Sequence, residues 1–300
     1  MSKKIDVEDT FAEAFPLWVS RILITADSEQ WALTSARAAT GFAVSVIMSP
    51  AEAGIERTVS PQETPDGRPG VIIQIYHSSG QGLKDQLLRR IGQCVLTCPT
   101  TAAFDAMGDK AVKRLKIGAA LRYFGDGYQK KEKVADRDVW SIPVMEGEFK
   151  IENRFGVKLG VAGGNFLILA ESQKAGLEAS ERAVAATVGT VEGVIMSFPG
   201  GVCRSGSKLG SLKYKLGAST NFAYCPTLRE SIPDTKIPEG VGSVYELIYN
   251  GLNFTCVKEA MRRGIETAMA VPGVVKISAA SFGGKLGVHK LYLKKLGLKL

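Results

Sequence analysis

An internal repeat is the feature of this sequence that most restricts its fold. The segment that begins at Arg21 reads RILITADSEQWALTSARAA, and the segment that begins at Phe166 reads FLILAESQKAGLEASERAVAA. Ala26 of the first matches Ala170 of the second, and Ser28 matches Ser172, at an offset of 144 residues. A second block repeats at an offset of 173 residues, where Ile75-Tyr76 matches Ile248-Tyr249 and Arg89-Arg90 matches Arg262-Arg263. Two blocks in the same order predict one structural unit that is used twice. The larger offset of the second block predicts about 25 extra residues between positions 197 and 241.

Each copy is predicted to run strand–helix–strand and then strand–helix–strand, because short apolar runs alternate with helical stripes. In the first copy, Asp27 is expected to cap a helix, with Gln30 as its capping-box partner. That helix is expected to end at Thr40, with Gly41 as a left-handed stop. The predicted strands are Ile22–Ala26, Val44–Met48, Val71–Tyr76, Phe166–Ala170, Val194–Met196, Val244–Tyr249 and Val274–Ser278.

The second helix of each copy is predicted from its apolar stripe. Leu83, Leu87, Ile91 and Val95 form the first stripe, and Pro99 ends that helix. The second stripe consists of Val257, Ala260, Met261, Gly264, Ile265 and Ala268. This order is that of the split βαβ unit, so the sequence predicts an α+β fold of two duplicated ferredoxin-like lobes. The lobes are expected at 1–150 and 151–300, with residues 110–150 as strands and turns that complete the first lobe or bridge the two.

The composition favours an intracellular protein with anionic partners. The chain has 300 residues, 45% of them hydrophobic, and a formal net charge of +8. This length can bury a large core without disulfides, and the charge attracts nucleic acid, anionic lipid or polyanionic small molecules. The N-terminus MSKKIDVEDT lacks the apolar segment of a signal peptide, and no apolar run is long enough to span a membrane. With five cysteines, an odd number, the sequence predicts a cytoplasmic protein with free thiols.

Ten short motifs, spread from about residue 6 to residue 295, are similar to those of one enzyme family. They are VEDTFAEAFP from Val7, GFAVSVIMSPAEAGIE from Gly41, TPDGRPG from Thr64, IGQCVLTCPTT from Ile91, YFGDGY from Tyr123, IPVMEGEF from Ile142, VAGGNF from Val161, FPGG from Phe198, SGSK from Ser205 and FGGKLG from Phe282. Together they resemble the formylmethanofuran:tetrahydromethanopterin formyltransferase family.

The resemblance implies reversible formyl transfer from formylmethanofuran to tetrahydromethanopterin, giving 5-formyltetrahydromethanopterin and methanofuran. It implies a ternary complex and a tetrahedral intermediate without a covalent enzyme adduct, in the one-carbon metabolism of methanogens and some methylotrophs. It also implies a cytoplasmic homotetramer, a dimer of dimers, with no bound cofactor, because the two carriers act as anionic substrates.

Formyl transfer between two amines requires proton transfer and stabilisation of the carbonyl oxygen. Glu246, on the strand Val244–Tyr249, is the candidate acid/base, and the matching family position is proposed for this role. Asn165 is the candidate donor to the formyl oxygen. A solvated glutamate at a strand edge is the alternative for Glu246, and a strand-entry turn is the alternative for Asn165.

Further residues in the family motifs are candidates for substrate binding. Glycines allow close approach of the backbone to a ligand, and lysine or arginine can meet substrate carboxylates. For each of these positions a helix cap, turn, packing contact or solvated charge is the structural alternative, and for Glu13 a cap or salt bridge in a short helix is expected. The predicted set is Asp9, Thr10, Glu52, Arg68, Gly163, Gly164, Gly200, Gly201, Ser205, Ser207, Lys208, Tyr245, Gly283, Gly284 and Lys285.

Other functions have less support in the sequence. Cys94 and Cys98 lack further metal ligands at suitable spacing, and His77 and His289 stand apart, so no metal site is predicted. No phosphate-binding glycine motif of the GxGxxG or GxxxxGK[ST] type occurs, which disfavours a nucleotide-dependent enzyme. An anion-binding or RNA-binding module stays open as an alternative. Neither Val71–Tyr76 nor Val244–Tyr249 carries an RNP1-like motif, however, and no nucleic-acid partner is predicted. A paralogous subunit of a formyltransferase complex is the other alternative.

Overall fold

The computed structural model describes residues 5–299 and has a mixed α+β fold, as predicted. Within that range, no helix is both long enough and apolar enough to cross a membrane. The helices are α1 (Glu29–Thr40), α2 (Gly80–Arg90), α3 (Ile117–Leu121), α4 (Gln173–Ala185) and α5 (Phe254–Met269). The strands are β1 (Asp6–Val7), β2 (Phe11–Thr25), β3 (Glu52–Val59), β4 (Gly70–His77), β5 (Ala102–Asp105), β6 (Lys113–Leu115), β7 (Lys130–Val134), β8 (Arg137–Val144), β9 (Gly147–Glu152), β10 (Phe155–Ala170), β11 (Val194–Ile195), β12 (Val202–Cys203), β13 (Ser243–Gly251), β14 (Val274–Ser278) and β15 (His289–Tyr292).

The chain divides into two compact units, whose limits differ from lobes of 1–150 and 151–300. One unit is Leu17–Gly160, and the other joins Val161–Leu300 with the N-terminal residues up to Pro16. The N-terminal residues belong to the second unit because β1 pairs with β14 and the start of β2 pairs with β15. Residues 1–4, on which the expectation about a signal peptide partly rests, lie outside the described range.

In the unit Leu17–Gly160, four strands pair in the order β5–β2–β4–β3, and all pairs in this set are antiparallel. Helices α1 and α2 cover one face of this sheet, where Ala32, Ala36, Leu83 and Leu87 are buried. On the other face Leu23, Ile72 and Phe104 form a separate apolar cluster with Val139 of β8. Apolar clusters therefore lie on both faces of the sheet.

The second unit has the same strand order around β10. Strand β10 lies between β14 and β13, and β11 and β12 pair with the far edge of β13. Helices α4 and α5 cover one face, and the buried residues of α5 are the stripe predicted from the sequence: Val257, Ala260, Met261, Gly264, Ile265 and Ala268. The opposite face carries Leu167 and Leu169 with Tyr224, Ile237 and Val241.

Three local predictions for the first copy were wrong, and residues 110–150, expected as strands and turns, also contain the helix α3. Val44–Met48 forms turns, and the second strand is Glu52–Val59. The hydroxyl of Ser49 accepts from the N–H of Ser45 and donates to its carbonyl oxygen, and the N–H of Ser49 donates to the same carbonyl, which holds the segment as a loop. Ser28, not Asp27, caps α1, and its hydroxyl accepts from the N–H of Trp31. Gly41 is extended rather than left-handed, with φ −62° and ψ 149°.

The structure also corrects the offset of the second repeated block from 173 to 174 residues. Ser79 caps α2 and Asn253 caps α5, at a separation of 174. Leu83 and Val257, the first buried residues of the two helices, have the same separation. The pairs Arg89-Arg90 and Arg262-Arg263 are therefore not structurally equivalent.

Candidate active site

The candidate site is marked by a row of three neighbouring residues across the sheet of the second unit, two of which are polar. In the unit Leu17–Gly160, Leu23 is flanked in register by Ile72 and Phe104, and the whole row is apolar. In the other unit the matching residue Leu167 is flanked by Glu246 and Ser278. Glu246 and Ser278 are both fully buried. A carboxyl and a hydroxyl thus occupy positions that hold core side chains in the first copy.

Glu246 lies in the middle of β13, where one carboxylate oxygen is held and the other is free. Oε2 accepts a hydrogen bond from the backbone N–H of Ser207 at 2.6 Å. Oε1 is buried, and no hydrogen-bond partner is found for it among residues 5–299. Burial raises the pKa of Glu246 to about 7, although the hydrogen bonds from Ser207 act in the opposite direction. The carboxyl can therefore both give and take a proton near neutral pH.

The cover of this carboxyl comes from the extra residues that the repeat predicted. Ser207, which holds Oε2, and Tyr224 both lie between β12 and β13. Tyr224, Ile237 and Val241 pack against Leu167 and its neighbours on the face of the sheet that bears Glu246. The insertion therefore supplies the low-dielectric surroundings that shift the pKa of Glu246.

Ser278 anchors a second polar group at the other end of the row. Its hydroxyl lies 3.2 Å from the hydroxyl of Tyr224. Burial would raise the pKa of Glu8, but hydrogen bonds from Lys276 and Ser278 outweigh it and hold the pKa below its ordinary value. The Lys276 ammonium lies 3.0 Å from the Glu8 carboxylate. A connected set of polar groups thus runs from the buried Tyr224 to the half-buried Glu8.

The side-chain amide of Asn165, the predicted donor to the formyl oxygen, is hydrogen-bonded to the protein backbone. Its Nδ2 donates to the carbonyl oxygens of Gly163 at 3.2 Å and Ala280 at 3.1 Å, and its Oδ1 accepts from the N–H of Ala280 at 2.7 Å. In this arrangement both N–H groups are used, and Asn165 fixes β10 to the segment after β14.

The two glycines that precede Asn165, Gly163 and Gly164, have different structural roles. Gly163 has φ +90°, and its N–H donates to Oδ1 of Asn250 at 3.0 Å. A Cβ at Gly164 would lie 2.4 Å from Cγ1 of Val257, so this glycine allows β10 to approach α5 closely. The contacts of Gly164 are those of packing.

Glu13 organises the FGGKLG loop, which contains three of the predicted binding residues. The sequence suggested that Glu13 belongs to a short helix, but it lies in strand β2 and is fully buried. Its carboxylate accepts from the backbone N–H groups of Phe282, Gly284, Leu286 and Gly287 at 2.5–3.0 Å. Burial would raise the pKa of Glu13, but these four bonds hold it below its ordinary value. Gly283, Gly284 and the exposed Lys285 are thereby held in one loop conformation.

The segment directly after β12 brings Ser205 and Ser207 close to Glu246 of β13. Cys203 pairs directly with Glu246 across the strands, and its thiol lies 3.4 Å from the hydroxyl of Ser205. The Nζ of Lys208 donates to the hydroxyl of Ser219 at 3.1 Å.

Other predicted residues lie apart from the Glu246 row within the second unit. Gly200 is exposed with φ +62°, and a Cβ on Gly201 would meet Val184 of α4 at 2.8 Å. Tyr245 packs near Gly176 of α4, on the face of β13 opposite to Glu246.

The last four predicted residues lie at the surface or serve their own loops. Asp9 is exposed and its carboxylate lies 3.8 Å from Lys294, and the carbonyl of Thr10 accepts from Leu293. In the other unit, Oε1 of Glu52 accepts from the N–H of Val46 at 3.1 Å. Arg68 bridges Asp27 at 3.0 Å and Asp66 at 2.9 Å.

Sequence reasoning missed Tyr224, Ser278 and Cys203. For Ser278, a signal is present in the sequence, because the repeat at its correct offset places a serine where the first copy has Phe104. Tyr224 lies in the insertion, which has no counterpart in the first copy. No group of three or more histidine, cysteine or acidic side chains in residues 5–299 is arranged to hold a metal ion.

Comparison with known proteins gives one consistent family along the chain. Residues 1–144 match the family model described as formylmethanofuran-tetrahydromethanopterin formyltransferase, and residues 147–296 match the model of that family's proximal lobe. The formylmethanofuran–tetrahydromethanopterin formyltransferase of Methanocaldococcus jannaschii is 56% identical over 293 residues, which is 97% of both chains. That of Methanopyrus kandleri is 56% identical over 295 residues, 97% of this chain and 98% of the other.

Two solved structures share the fold. The formyltransferase from Methanosarcina barkeri superposes with a TM-score of 0.94 at 50% identity and covers 97% of this chain and 98% of its own. A chain of the formyltransferase/hydrolase complex from Methylorubrum extorquens, solved with methylofuran, gives a TM-score of 0.93 at 44% identity, over 97% of this chain and 96% of that one.

Proposed function

The chain belongs to the formylmethanofuran–tetrahydromethanopterin formyltransferase family and is a formyltransferase, and from this premise we propose that Glu246 moves the proton that the transfer requires. The reaction moves a formyl group between methanofuran and tetrahydromethanopterin. The observation that supports the role of Glu246 is its buried carboxyl with a free Oε1 and a pKa near 7.

The proton balance of the transfer fits one carboxyl. The amine nitrogen of tetrahydromethanopterin attacks the formyl carbon, a C–N bond forms, and the carbonyl oxygen takes the negative charge of a tetrahedral intermediate. Glu246 accepts the proton that the attacking nitrogen loses and delivers it to the nitrogen of methanofuran as the old C–N bond breaks. The carboxyl ends in the state in which it began, without a covalent adduct. Ser207 holds Oε2, which leaves Oε1 as the oxygen that exchanges the proton.

A formyl-transfer assay tests this proposal. Purified protein is mixed with formylmethanofuran and tetrahydromethanopterin, and the pterin absorbance is followed for wild type and Glu246→Gln. We expect kcat/KM to fall by about two to four orders of magnitude, which is the usual contribution of a positioned acid/base. Glu239→Gln is the matched control, because it makes the same chemical change at an exposed position of the covering segment, the residues between β12 and β13 that cover Glu246.

The outcomes separate the activity from the assigned residue. Activity of Glu246→Gln within a few-fold of wild type would show that Glu246 is not the acid/base. Inactive wild-type protein with an intact fold would contradict formyl transfer itself. Loss of activity in both Glu246→Gln and Glu239→Gln would indicate general damage to the covering segment.

We propose that the substrate contacts come from the loops that flank the Glu246 row. Ser205 lies beside Cys203, and Lys285 stands exposed on the loop that Glu13 holds. Lys285 is suited to a carboxylate of a substrate, because no ionic partner occupies it among residues 5–299. Lys285→Gln is expected to raise KM several-fold with kcat little changed.

We further propose that the two units are duplicated ferredoxin-like lobes. Each contains the element order strand–helix–strand–strand–helix–strand and the strand order of that fold, with two helices on one face. Limited proteolysis tests the boundary, and we expect a cut at the short turn of residues 153–154, because strands β9 and β10 occupy the rest of that region.

For assembly we propose a cytoplasmic homotetramer that needs no bound cofactor. The alternative is a subunit of a larger complex, which is favoured by the likeness to a chain of the Methylorubrum extorquens complex. Analytical ultracentrifugation of the isolated chain distinguishes the two, since a species of about four times 32.1 kDa supports the homotetramer. Full activity after treatment with a chelator supports the absence of a metal requirement.

A further inference from the structure

A cationic groove lies in the unit Leu17–Gly160, within the lobe that does not contain Glu246. It has a volume of about 700 Å³ and is formed by the start of α2, strand β6 and the turn through α3. Five cationic side chains line it: Lys84, Lys113, Arg114, Lys116 and Arg122. None of the residues that line it is acidic.

The two arginines of the groove are already fixed by the protein. The guanidinium of Arg114 lies 2.9 Å from the carboxylate of the buried Asp105. The guanidinium of Arg122 lies over the rings of Tyr123 at 4.2 Å and Trp140 at 4.9 Å, and one of its N–H groups donates to the hydroxyl of Tyr123 at 2.7 Å. Their positions are thus set before any ligand arrives, which lowers the entropy lost on binding.

The three lysines differ from the arginines because nothing neutralises them. Lys84, Lys113 and Lys116 form no ion pair with any carboxylate in the part of the chain that the structure describes. The first turn of α2, with Gly80 and Gln81, also lines the groove and adds the positive end of an eleven-residue helix. Several unneutralised positive charges around one concave surface repel one another and concentrate anions there.

The size and lining of the groove limit the ligand. Its volume lies in the range of small-molecule sites, about 300–1,000 Å³. Leu115, Ala119 and Ala120 add an apolar surface between the cations. A nucleic acid would require a longer basic surface that follows its phosphates, whereas these charges converge on one concavity.

We propose that this groove binds a small organic polyanion with at least two carboxylate or phosphate groups. The anionic groups lie against the three lysines and Arg122, and the apolar part of the molecule lies against Leu115 and the two alanines. This proposal rests on the groove alone and does not depend on the role of Glu246.

The first test measures binding of two probes to the full-length protein by isothermal titration calorimetry. Tripolyphosphate is the phosphate probe and benzene-1,3,5-tricarboxylate is the carboxylate probe. We expect saturable binding of at least one of them with one site per chain, weakened when the salt concentration is raised. In the triple variant Lys84→Gln, Lys113→Gln and Lys116→Gln we expect affinity to fall at least tenfold.

A matched control separates the groove from the net charge of the protein. The triple variant Lys130→Gln, Lys133→Gln and Arg154→Gln also removes three positive charges. These residues are exposed, belong to the same unit and do not line the groove. We expect its affinity for the probe to stay within about twofold of wild type. Equal losses in both triple variants would overturn the proposal in favour of general electrostatic attraction.

A second measurement locates the bound anion. Lysines are acetylated at limiting reagent with and without the probe that binds, and each site is quantified by mass spectrometry. We expect the probe to protect Lys84, Lys113 and Lys116 but not Lys130 or Lys133. No binding of either probe, or no protection in the groove, overturns the proposal. Tight binding of an RNA oligonucleotide that protects these lysines, without binding of either small probe, also overturns it.

Discussion

The burial of Glu246 predicts a pH-dependent loss of stability that Glu246→Gln removes. Folding raises the pKa of this carboxyl from 4.5 to about 7, mainly by burial. Below pH 4.5 the folded and unfolded states both hold the proton, so the group has no effect on the free energy of unfolding. Between pH 4.5 and 7 the unfolded state releases the proton first, and stability falls by about 1.4 kcal/mol per pH unit. Above pH 7 the loss levels off at about 3 kcal/mol.

Glutamine at position 246 does not titrate, so the stability of the variant relative to wild type should rise with pH. Between pH 5 and pH 8 we expect this difference to change by about 2.5 kcal/mol in favour of the variant. The glutamine amide places an N–H group near the free Oε1 position, and an unpartnered buried donor costs about 1–3 kcal/mol. That cost is independent of pH, so the slope rather than the absolute difference carries the test.

The assay must follow the correct unit. Trp18, Trp31 and Trp140 all lie in the unit Leu17–Gly160, so tryptophan fluorescence reports on the unit without Glu246. Urea unfolding at several pH values is therefore followed by far-UV circular dichroism, with fluorescence as an internal reference. Glu239→Gln, which makes the same chemical change at an exposed position, is the control variant. A flat difference for Glu246→Gln would refute the reasoning, because it would mean that the carboxyl is hydrated or paired and has an ordinary pKa.

Three further substitutions test other contacts. Glu13→Gln should show the opposite pH dependence. The pKa of Glu13 is lowered in the folded state, so its contribution to stability is present above pH 4.5 and is lost as the pH falls. In urea titrations the variant should therefore lose stability relative to wild type as the pH rises. Gly164→Ala should destabilise the protein by about 1–3 kcal/mol, because the new Cβ would overlap Val257, and circular dichroism follows the unfolding. Arg68→Met should lower the urea midpoint seen by tryptophan fluorescence, because it breaks the ion pairs with Asp27 and Asp66. An unchanged midpoint would show that these two pairs contribute nothing to stability.

Much of the fold follows from local sequence signals. The stripe on α5 predicted all six of its buried residues, because a helix that packs on a sheet repeats its apolar positions every three to four residues. The strands β4, β13 and β14 were predicted nearly to their ends, because each is a short apolar run beside a glycine or proline. The strand at Val44–Met48 was wrong because a similar apolar run was held as turns by hydrogen bonds of two serines.

The candidate site was predicted less completely. The resemblance to the family pointed to Glu246, but nothing in the local sequence shows that this glutamate is buried. Ser278 and Tyr224 were missed because their contact joins residues that are 54 positions apart. Asn165 was assigned a ligand role, whereas the structure shows both of its N–H groups bonded to backbone carbonyls.

The sequence by itself predicted that one unit is used twice and that the second copy carries an insertion. Only the tertiary structure decided which residues of the two copies correspond. At an offset of 173 residues Glu246 would match Ile73, which faces the helices, whereas strand register at 174 matches it to Ile72 on the opposite face. Successive side chains of a strand point to opposite faces, so a shift of one residue moves every side chain to the other side of the sheet. The face, and the insertion that covers it, give Glu246 its burial and its raised pKa.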